Sequence, residues 1–170
     1  MRYLLAIIIA LLGCALPAAA EDSDSLRAAI MAREMAMNAP GTPAADFDLE
    51  LPDGTACSLS AMRGEPMLLV LFDADCPTCA AVLRDLAATV PPGLRVLAVY
   101  AEPDDALRAR ALAEVPAGFA AAFDRTGVYG ADLYSPEFLP GIYLLDAAGI
   151  VVARGSTAAP LAGEMHKIVR

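Results

Sequence analysis

Uninterrupted apolar runs alternate along this chain with segments rich in polar residues, glycine and proline. The run Met67–Phe72 contains no polar residue, which is typical of a strand buried on both faces of a parallel or mixed sheet. An alanine- and leucine-rich helical pattern follows over Ala80–Thr89, and Leu94–Ala101 is a second apolar run that predicts another buried strand. This order of strand, helix and strand predicts an α/β protein with a mixed sheet.

Weaker patterns predict the elements on either side of this centre. Before it, they predict an amphipathic helix over Ser25–Asn38, a linker over Pro40–Pro43, and strands over Asp46–Leu51 and Thr55–Leu59 around a Pro52-Asp53-Gly54 turn. After it, they predict a helix over Asp104–Glu114, a short strand over Phe119–Phe123, and a turn with a helical piece over Asp124–Tyr134. The chain should end with a hairpin, Ile142–Asp146 and Ile150–Arg154, and a closing helix over Ala158–Val169.

Two cysteines lie where the central buried strand passes into its helix, in the sequence Cys76-Pro77-Thr78-Cys79. Residues three apart on a helix share a face, so the two thiols can form a disulfide. The free N–H groups and the dipole of the helix N-terminus favour a thiolate at Cys76. This arrangement predicts redox chemistry, with Cys76 as the nucleophile and Cys79 as the resolving thiol.

The cysteine pair could instead hold zinc or form a structural disulfide. A zinc site needs four ligands, and the other candidates after the first twenty residues are only Cys57 and His166. A structural disulfide that closes so short a loop would constrain the unfolded chain little. Both interpretations are weaker than redox function, and we expect no metal and no cofactor. Cys57 is expected to be a buried, inert thiol and His166 a surface residue.

The first twenty residues predict a secretory signal. Arg2 provides the positive region, an apolar stretch follows, and three alanines precede Glu21 as a cleavage site. Cleavage there would give a periplasmic protein with no transmembrane segment, whereas lipidation at Cys14 is the alternative. Both outcomes place the chain where disulfides persist. Without the signal, 11 basic and 21 acidic residues give a net charge of −10, which argues against nucleic acid or an anionic membrane as a partner.

Taken together, these motifs resemble the exported thioredoxin-fold thiol–disulfide oxidoreductases of the TlpA and cytochrome-c-maturation type. Besides the Cys-Pro-Thr-Cys motif, the resemblance rests on the segment 43–47, the Asp53-Gly54 turn, Leu59, Gly64 and the Leu139-Pro140 step before a strand. It implies a three-layer α/β/α sandwich with a mixed central sheet and an N-terminal β-hairpin extension. Residues 1–20 would be the signal peptide, 21–42 an N-terminal helix and linker, and 43–170 the thioredoxin-like domain. The resemblance also implies that Pro140 is cis and faces the dithiol, so that Leu139 and Pro140 form the substrate-side loop.

The chain departs from that family at three positions near the cysteines. Asp75 stands where a tryptophan usually precedes the first cysteine, Val70 where thioredoxin has a buried acid, and Val82 near the place of a common glutamate. The acids Asp73 and Asp75 could substitute as proton acceptors, or they could form a solvated turn. Two carboxylates close to Cys76 would also oppose its thiolate.

The resemblance implies an enzyme that exchanges disulfides with protein substrates and with a membrane redox donor or acceptor. The active-site turn would comprise Asp75, Pro77 and Thr78 beside the two cysteines. One alternative is a thioredoxin-fold binding module, such as a chaperone or an assembly factor for metal sites, with little redox turnover. A peroxiredoxin-like peroxidase is less favoured, because its proline and threonine positions are occupied here by Leu69 and Phe72.

Overall fold

The computed structural model of this protein describes residues 25, 26, 28, 38–101, 104–127, 134 and 139–170. Ser25, Leu26 and Ala28 are helical, as the sequence predicts. Residues 27 and 29–37 of the predicted N-terminal helix lie outside the described residues. The predicted signal peptide, the alternative lipidation site at Cys14 and most of the predicted turn after Asp124 also lie outside them.

The described residues form a mixed sheet of seven strands, in the order β2-β1-β5-β4-β3-β6-β7. Strands β3, β4 and β5 are parallel, and the other pairs are antiparallel. In chain order the strands are β1 (Asp48–Glu50), β2 (Ala56–Ser58), β3 (Met67–Phe72), β4 (Arg95–Tyr100), β5 (Ala120–Phe123), β6 (Gly141–Leu145) and β7 (Val151–Gly155).

Strand β3 lies in the interior of the sheet, with every residue buried, as its continuous apolar run predicts. Because successive side chains point to opposite faces, Leu68, Val70 and Phe72 enter one apolar cluster while Met67, Leu69 and Leu71 enter another. The two clusters are the two halves of the core.

In the described part of the chain, three helices pack on the first of these faces. They are α1 (Pro77–Thr89), α2 (Arg108–Glu114) and α3 (Ala162–Ile168). Leu83, Ala111 and Met165, one from each helix, are fully buried in the cluster with Val70. On the opposite face, the core is closed by the segment around Ala44–Leu49, by Leu59 before a 3-10 helix (Ser60–Met62), and by Tyr134. The predicted α/β class, mixed sheet and N-terminal hairpin are confirmed.

The N-terminal hairpin forms one edge of the sheet. Strands β1 and β2 pair in an antiparallel register, with Leu49 opposite Cys57. Gly54 adopts a φ of 87° in the turn between them, a conformation that costs glycine little, and the Asp53 carboxylate accepts the Thr55 N–H at 2.9 Å. Both strands are shorter than predicted. Asp46 belongs to neither, because its carboxylate accepts the N–H groups of Phe47 and Ser60.

Two helices also begin later than the sequence predicts. The helix predicted from Asp104 starts at Arg108, since the Asp104 carboxylate accepts the Ala106 N–H at 2.8 Å and holds a turn instead. The closing helix begins as a 3-10 turn, Ala159–Leu161, and becomes α-helical only from Ala162. None of the helices in the described part of the chain is both long and apolar enough to span a bilayer.

Candidate functional site

Cys76 lies at the carboxyl end of the central strand, at the N-cap of α1. A tight turn brings it there: the Asp73 carboxylate accepts the Asp75 N–H at 3.2 Å, and the Asp73 carbonyl accepts the Cys76 N–H at 3.4 Å. Pro77 is the first residue of the helix, where its missing N–H removes no intrahelical hydrogen bond. The local sequence therefore places a cysteine where the orphan N–H groups of a helix are concentrated.

Cys76 and Cys79 are joined by a disulfide, with their Cα atoms 5.2 Å apart. The Cys79 N–H is directed at the Cys76 sulfur, with a distance of 3.1 Å from N to Sγ, and it also lies 3.0 Å from the Cys76 carbonyl oxygen. When the bond is reduced, this N–H can stabilise a thiolate at Cys76 as a charge-assisted hydrogen bond.

The two sulfurs differ in their surroundings. Cys79 is fully buried in the apolar cluster beneath α1, together with Val82 and Leu83, whereas Cys76 is only half-buried. Pro77 and Thr78, between them, are exposed. A partner that approaches this end of the sheet therefore meets Cys76 first.

The Leu139-Pro140 step forms the other side of the site. In the sheet register, Gly141 of β6 lies opposite Leu71 of β3, so the chain that enters β6 passes the carboxyl end of β3. The Leu139 carbonyl oxygen lies 3.9 Å from the Cys76 sulfur, and the peptide bond to Pro140 is cis, as the resemblance implies. The fold thus places the Leu139 carbonyl close to the sulfur of a residue 63 positions earlier in the sequence.

The three departures from the resembled family have distinct environments. Val70 and Val82 are buried in the same apolar cluster as Cys79, so neither position offers a proton acceptor. Asp75 is exposed, and its carboxylate pairs with Arg110 of α2 at 2.8 Å. The acidic turn is therefore a solvated turn bound to a cation. Arg110 is a residue that the sequence analysis missed, because a contact across 35 positions leaves no local pattern.

Cys57 lies far from the dithiol. It belongs to the edge strand β2, and strands β1, β5 and β4 stand between it and β3, which corresponds to about 19 Å. Cys57 is half-buried, not fully buried as expected, and burial raises the pKa of its thiol. At that distance it cannot serve as a resolving thiol for Cys76.

The other candidate ligands do not join the cysteines. His166 is an exposed residue of α3, as predicted. Over the described ranges, no three histidine, cysteine, aspartate or glutamate side chains come together as a metal site. The two positions at which a peroxiredoxin-like enzyme would have proline and threonine, Leu69 and Phe72, are buried residues of β3. Phe72 therefore offers no hydroxyl near Cys76.

Comparison with known proteins agrees with this geometry. Residues 40–154 match the profile of the AhpC/TSA family. No curated protein matches the chain.

Among solved structures, a thioredoxin-like protein from Bacteroides caccae superposes with a TM-score of 0.76 at 22% identity, over 88% of this chain and 57% of that one. This chain therefore spans little more than half the length of that protein. The thioredoxin domain of a thiol-disulfide oxidoreductase from Bacteroides vulgatus gives 0.68 at 21% identity, over 78% and 99% of the two chains. A candidate thiol:disulfide interchange protein DsbE from Chlorobium tepidum gives 0.62 at 25% identity, over 77% and 95%. These similarities confirm the predicted thioredoxin-like fold.

Proposed function

We propose that this chain, which belongs to the AhpC/TSA family, is an exported enzyme that exchanges disulfides with protein substrates through Cys76 and Cys79. The predicted enzyme class, a thioredoxin-like thiol–disulfide oxidoreductase, is confirmed by the family match, the solved neighbours and the Cys76–Cys79 pair. Its protein substrates, its export and the role of each cysteine are the proposed parts.

The observation that carries the proposal is the asymmetry of the two sulfurs. Cys76 is half-buried, and its sulfur accepts a hydrogen bond from the Cys79 N–H at 3.1 Å, whereas Cys79 is fully buried. The first sulfur can therefore meet a substrate and be stabilised as a thiolate, while the second can reach only the first. This is the division of labour that two-step disulfide exchange requires.

In the reducing direction, the Cys76 thiolate attacks one sulfur of a substrate disulfide. That disulfide breaks, its other sulfur leaves as a thiolate, and a mixed disulfide joins Cys76 to the substrate. Cys79, once deprotonated, attacks the Cys76 sulfur, and the second substrate thiolate leaves. Two electrons have passed from the dithiol to the substrate, and the Cys76–Cys79 disulfide has formed. In the oxidising direction the same steps run backwards, so no further cofactor is required.

The substrate would lie against the Leu139-Pro140 step. The Leu139 carbonyl, at 3.9 Å from the Cys76 sulfur, is well placed to accept an N–H from an extended substrate segment beside the attacked cysteine. The excess of acidic residues favours segments with neutral or basic character. A membrane redox donor would reduce the Cys76–Cys79 disulfide after a turnover in the reducing direction, and a membrane redox acceptor would reoxidise the dithiol after a turnover in the oxidising direction.

An insulin-reduction assay tests the activity. We expect the purified protein, with dithiothreitol as the electron source, to accelerate insulin precipitation, and Cys76→Ser and Cys79→Ser to abolish that acceleration. Cys57→Ser is the matched control, because it removes the thiol that lies about 19 Å from the site. A wild-type protein as slow as the Cys76→Ser variant would favour the binding-module alternative. Equilibration with glutathione buffers would then give the reduction potential, and with it the direction of exchange.

A trapping experiment tests the protein substrates. In Cys79→Ala the mixed disulfide at Cys76 cannot be resolved, so partners should accumulate on non-reducing gels and be identified by mass spectrometry. Adding Pro140→Ala should weaken the capture, because the buried proline ring restricts the backbone that presents the Leu139 carbonyl. If Cys79→Ala captures nothing in the exporting host while Cys76 remains open to alkylation, disulfide exchange with proteins is refuted.

Export is tested by the mass of the mature protein. Cleavage after the three alanines would leave Glu21 as the first residue of a periplasmic protein. A diacylglycerol-modified N-terminus at Cys14 would instead show a lipid-anchored protein.

A further inference from the structure

The residue that directly precedes the proposed nucleophile belongs to an ion pair. Asp75, the residue before Cys76, is bound by Arg110 with a distance of 2.8 Å from Oδ1 to Nη2. Both side chains are about 60% exposed, and ion pairs at such exposure add little to stability. We therefore expect the pair to act mainly through the charge that it places next to Cys76.

The helix that carries Arg110 is held firmly on its inner side. Arg108, two residues earlier, binds Glu50 of β1 at 2.8 Å, and its guanidinium lies 4.1 Å from the centre of the Phe123 ring. Ala111 is fully buried in the core below. Arg110 therefore extends from a fixed helix toward the active-site turn.

Within the described parts of the chain, few charged residues lie on the elements next to Cys76. The turn before it contributes Asp73 and Asp75. The first turn of α1 has no acidic residue, and the first charged residue of that helix is Arg84, eight positions after Cys76. Leu139 and Pro140 carry no charge. Among the described residues that surround the turn, Arg110 is the cation paired with it.

We propose that Arg110 is a positioning residue for disulfide exchange, which offsets the negative charge of Asp75 and so makes the thiolate of Cys76 easier to form. The inference rests on the proposed function, in which Cys76 is the attacking thiol. Without Arg110, the Asp75 carboxylate would face the developing thiolate uncompensated. A destabilised thiolate also disfavours the reduced state, so the equilibrium between dithiol and disulfide shifts toward the disulfide.

The experiment compares the exported, purified protein with Arg110→Gln, Asp75→Asn, the double variant and Arg110→Lys. The readout is the pH dependence of Cys76 alkylation by iodoacetamide, followed at that residue by mass spectrometry. Arg84→Gln is the matched control, because it removes the same charge from an exposed position of α1. A second readout is the equilibrium of each variant with glutathione.

The two single variants should shift in opposite directions. Arg110→Gln should move the midpoint of Cys76 alkylation to higher pH and Asp75→Asn to lower pH, each by about half a unit. The double variant should return close to wild type, Arg110→Lys should preserve the midpoint, and 1 M salt should reduce the differences, since its screening length is only about 3 Å. In glutathione buffers, Arg110→Gln should favour the disulfide and Asp75→Asn the dithiol.

A purely structural ion pair would behave differently. Breaking it from either side would loosen the same turn, so both single variants would shift the midpoint in the same direction and the double variant would not revert. That result, or a shift in Arg84→Gln as large as that in Arg110→Gln, would overturn the inference. The alkylation profile does not require insulin turnover. An inactive wild type with opposed shifts would therefore contradict only the proposed function, and an active wild type without them only this inference.

Discussion

Serine and alanine at position 76 separate the capping role of the cysteine side chain from its redox chemistry. Both variants lack the disulfide, so their difference reports only on the hydrogen bond from the Cys79 N–H, which the Cys76 sulfur accepts at 3.1 Å. A serine hydroxyl can accept the same bond, whereas alanine removes the side-chain acceptor and leaves this N–H only the carbonyl oxygen of residue 76, at 3.0 Å. Exchanging a capping side chain for alanine costs about 1 kcal/mol.

The assay is urea unfolding of both variants under reducing conditions. With a denaturant slope of about 2 kcal/mol/M, the expected difference moves the midpoint of Cys76→Ala about 0.5 M below that of Cys76→Ser. Circular dichroism and tyrosine fluorescence should give coincident transitions.

Position 79 provides the control, since the order should reverse there. Cys79 is fully buried among apolar side chains, so a serine would bury a hydroxyl in place of a thiol. Cys79→Ala is therefore expected to be at least as stable as Cys79→Ser. Equal midpoints for the two variants at position 76 would refute the capping argument, and with it the claim that this N–H prepares Cys76 to hold a negative charge.

Three further predictions concern other groups. At limiting iodoacetamide, the reduced protein should be labelled first at Cys76, because it is the more exposed thiol of the pair; preferential labelling of Cys79 or Cys57 would contradict the assignment of Cys76 as the reactive thiol. Hydrogen bonds from Arg108 and then Arg125 lower the pKa of Glu50 below its ordinary 4.5, so its pH-dependent contribution to stability is present above that pH and lost as the pH falls through the lower folded value. The difference in unfolding free energy between wild type and Glu50→Gln should therefore shrink from pH 5 to pH 3, and a constant gap would contradict this. Tyr143→Phe should cost about 1–2 kcal/mol in urea unfolding, because the hydroxyl donates a buried 2.6 Å hydrogen bond to the Tyr134 carbonyl, and an unchanged midpoint would show that this bond contributes nothing.

The parts of the fold that the sequence predicts well are those set by burial. Met67–Phe72 has the same bounds in the sequence pattern and in the structure, because a strand covered on both faces needs an apolar residue at every position. Predicted ends are less accurate where a side chain competes with the regular backbone. The side-chain hydrogen bond of Asp104 holds a turn, so that α2 begins only at Arg108. The hydrogen bond of the Asp46 carboxylate likewise leaves Asp46 outside β1, which begins at Asp48. Aspartate fits helix starts as well as isolated turns, so the pattern alone does not distinguish them.

Some residues of the candidate site can likewise be predicted from the sequence, and others cannot. Cys76, Cys79 and the Leu139-Pro140 step are visible in the sequence, since each belongs to a short motif. The partner of Asp75 is not visible, because Arg110 is one of many arginines and its contact depends on where α2 packs against the sheet. The sequence shows the acid beside the nucleophile without showing the cation that accompanies it.

The two halves of the site depend on the folded state to very different degrees. Cys76 and Cys79 are three residues apart, so even an unfolded chain can close or open their disulfide. The Leu139 carbonyl, 63 residues away, reaches Cys76 only after β6 has paired with β3. A chain in which that pairing is lost would still carry two electrons but would react with any accessible disulfide. Under the proposed function, selectivity among partners would thus be a property of the tertiary structure, whereas the capacity for exchange would reside in four consecutive residues.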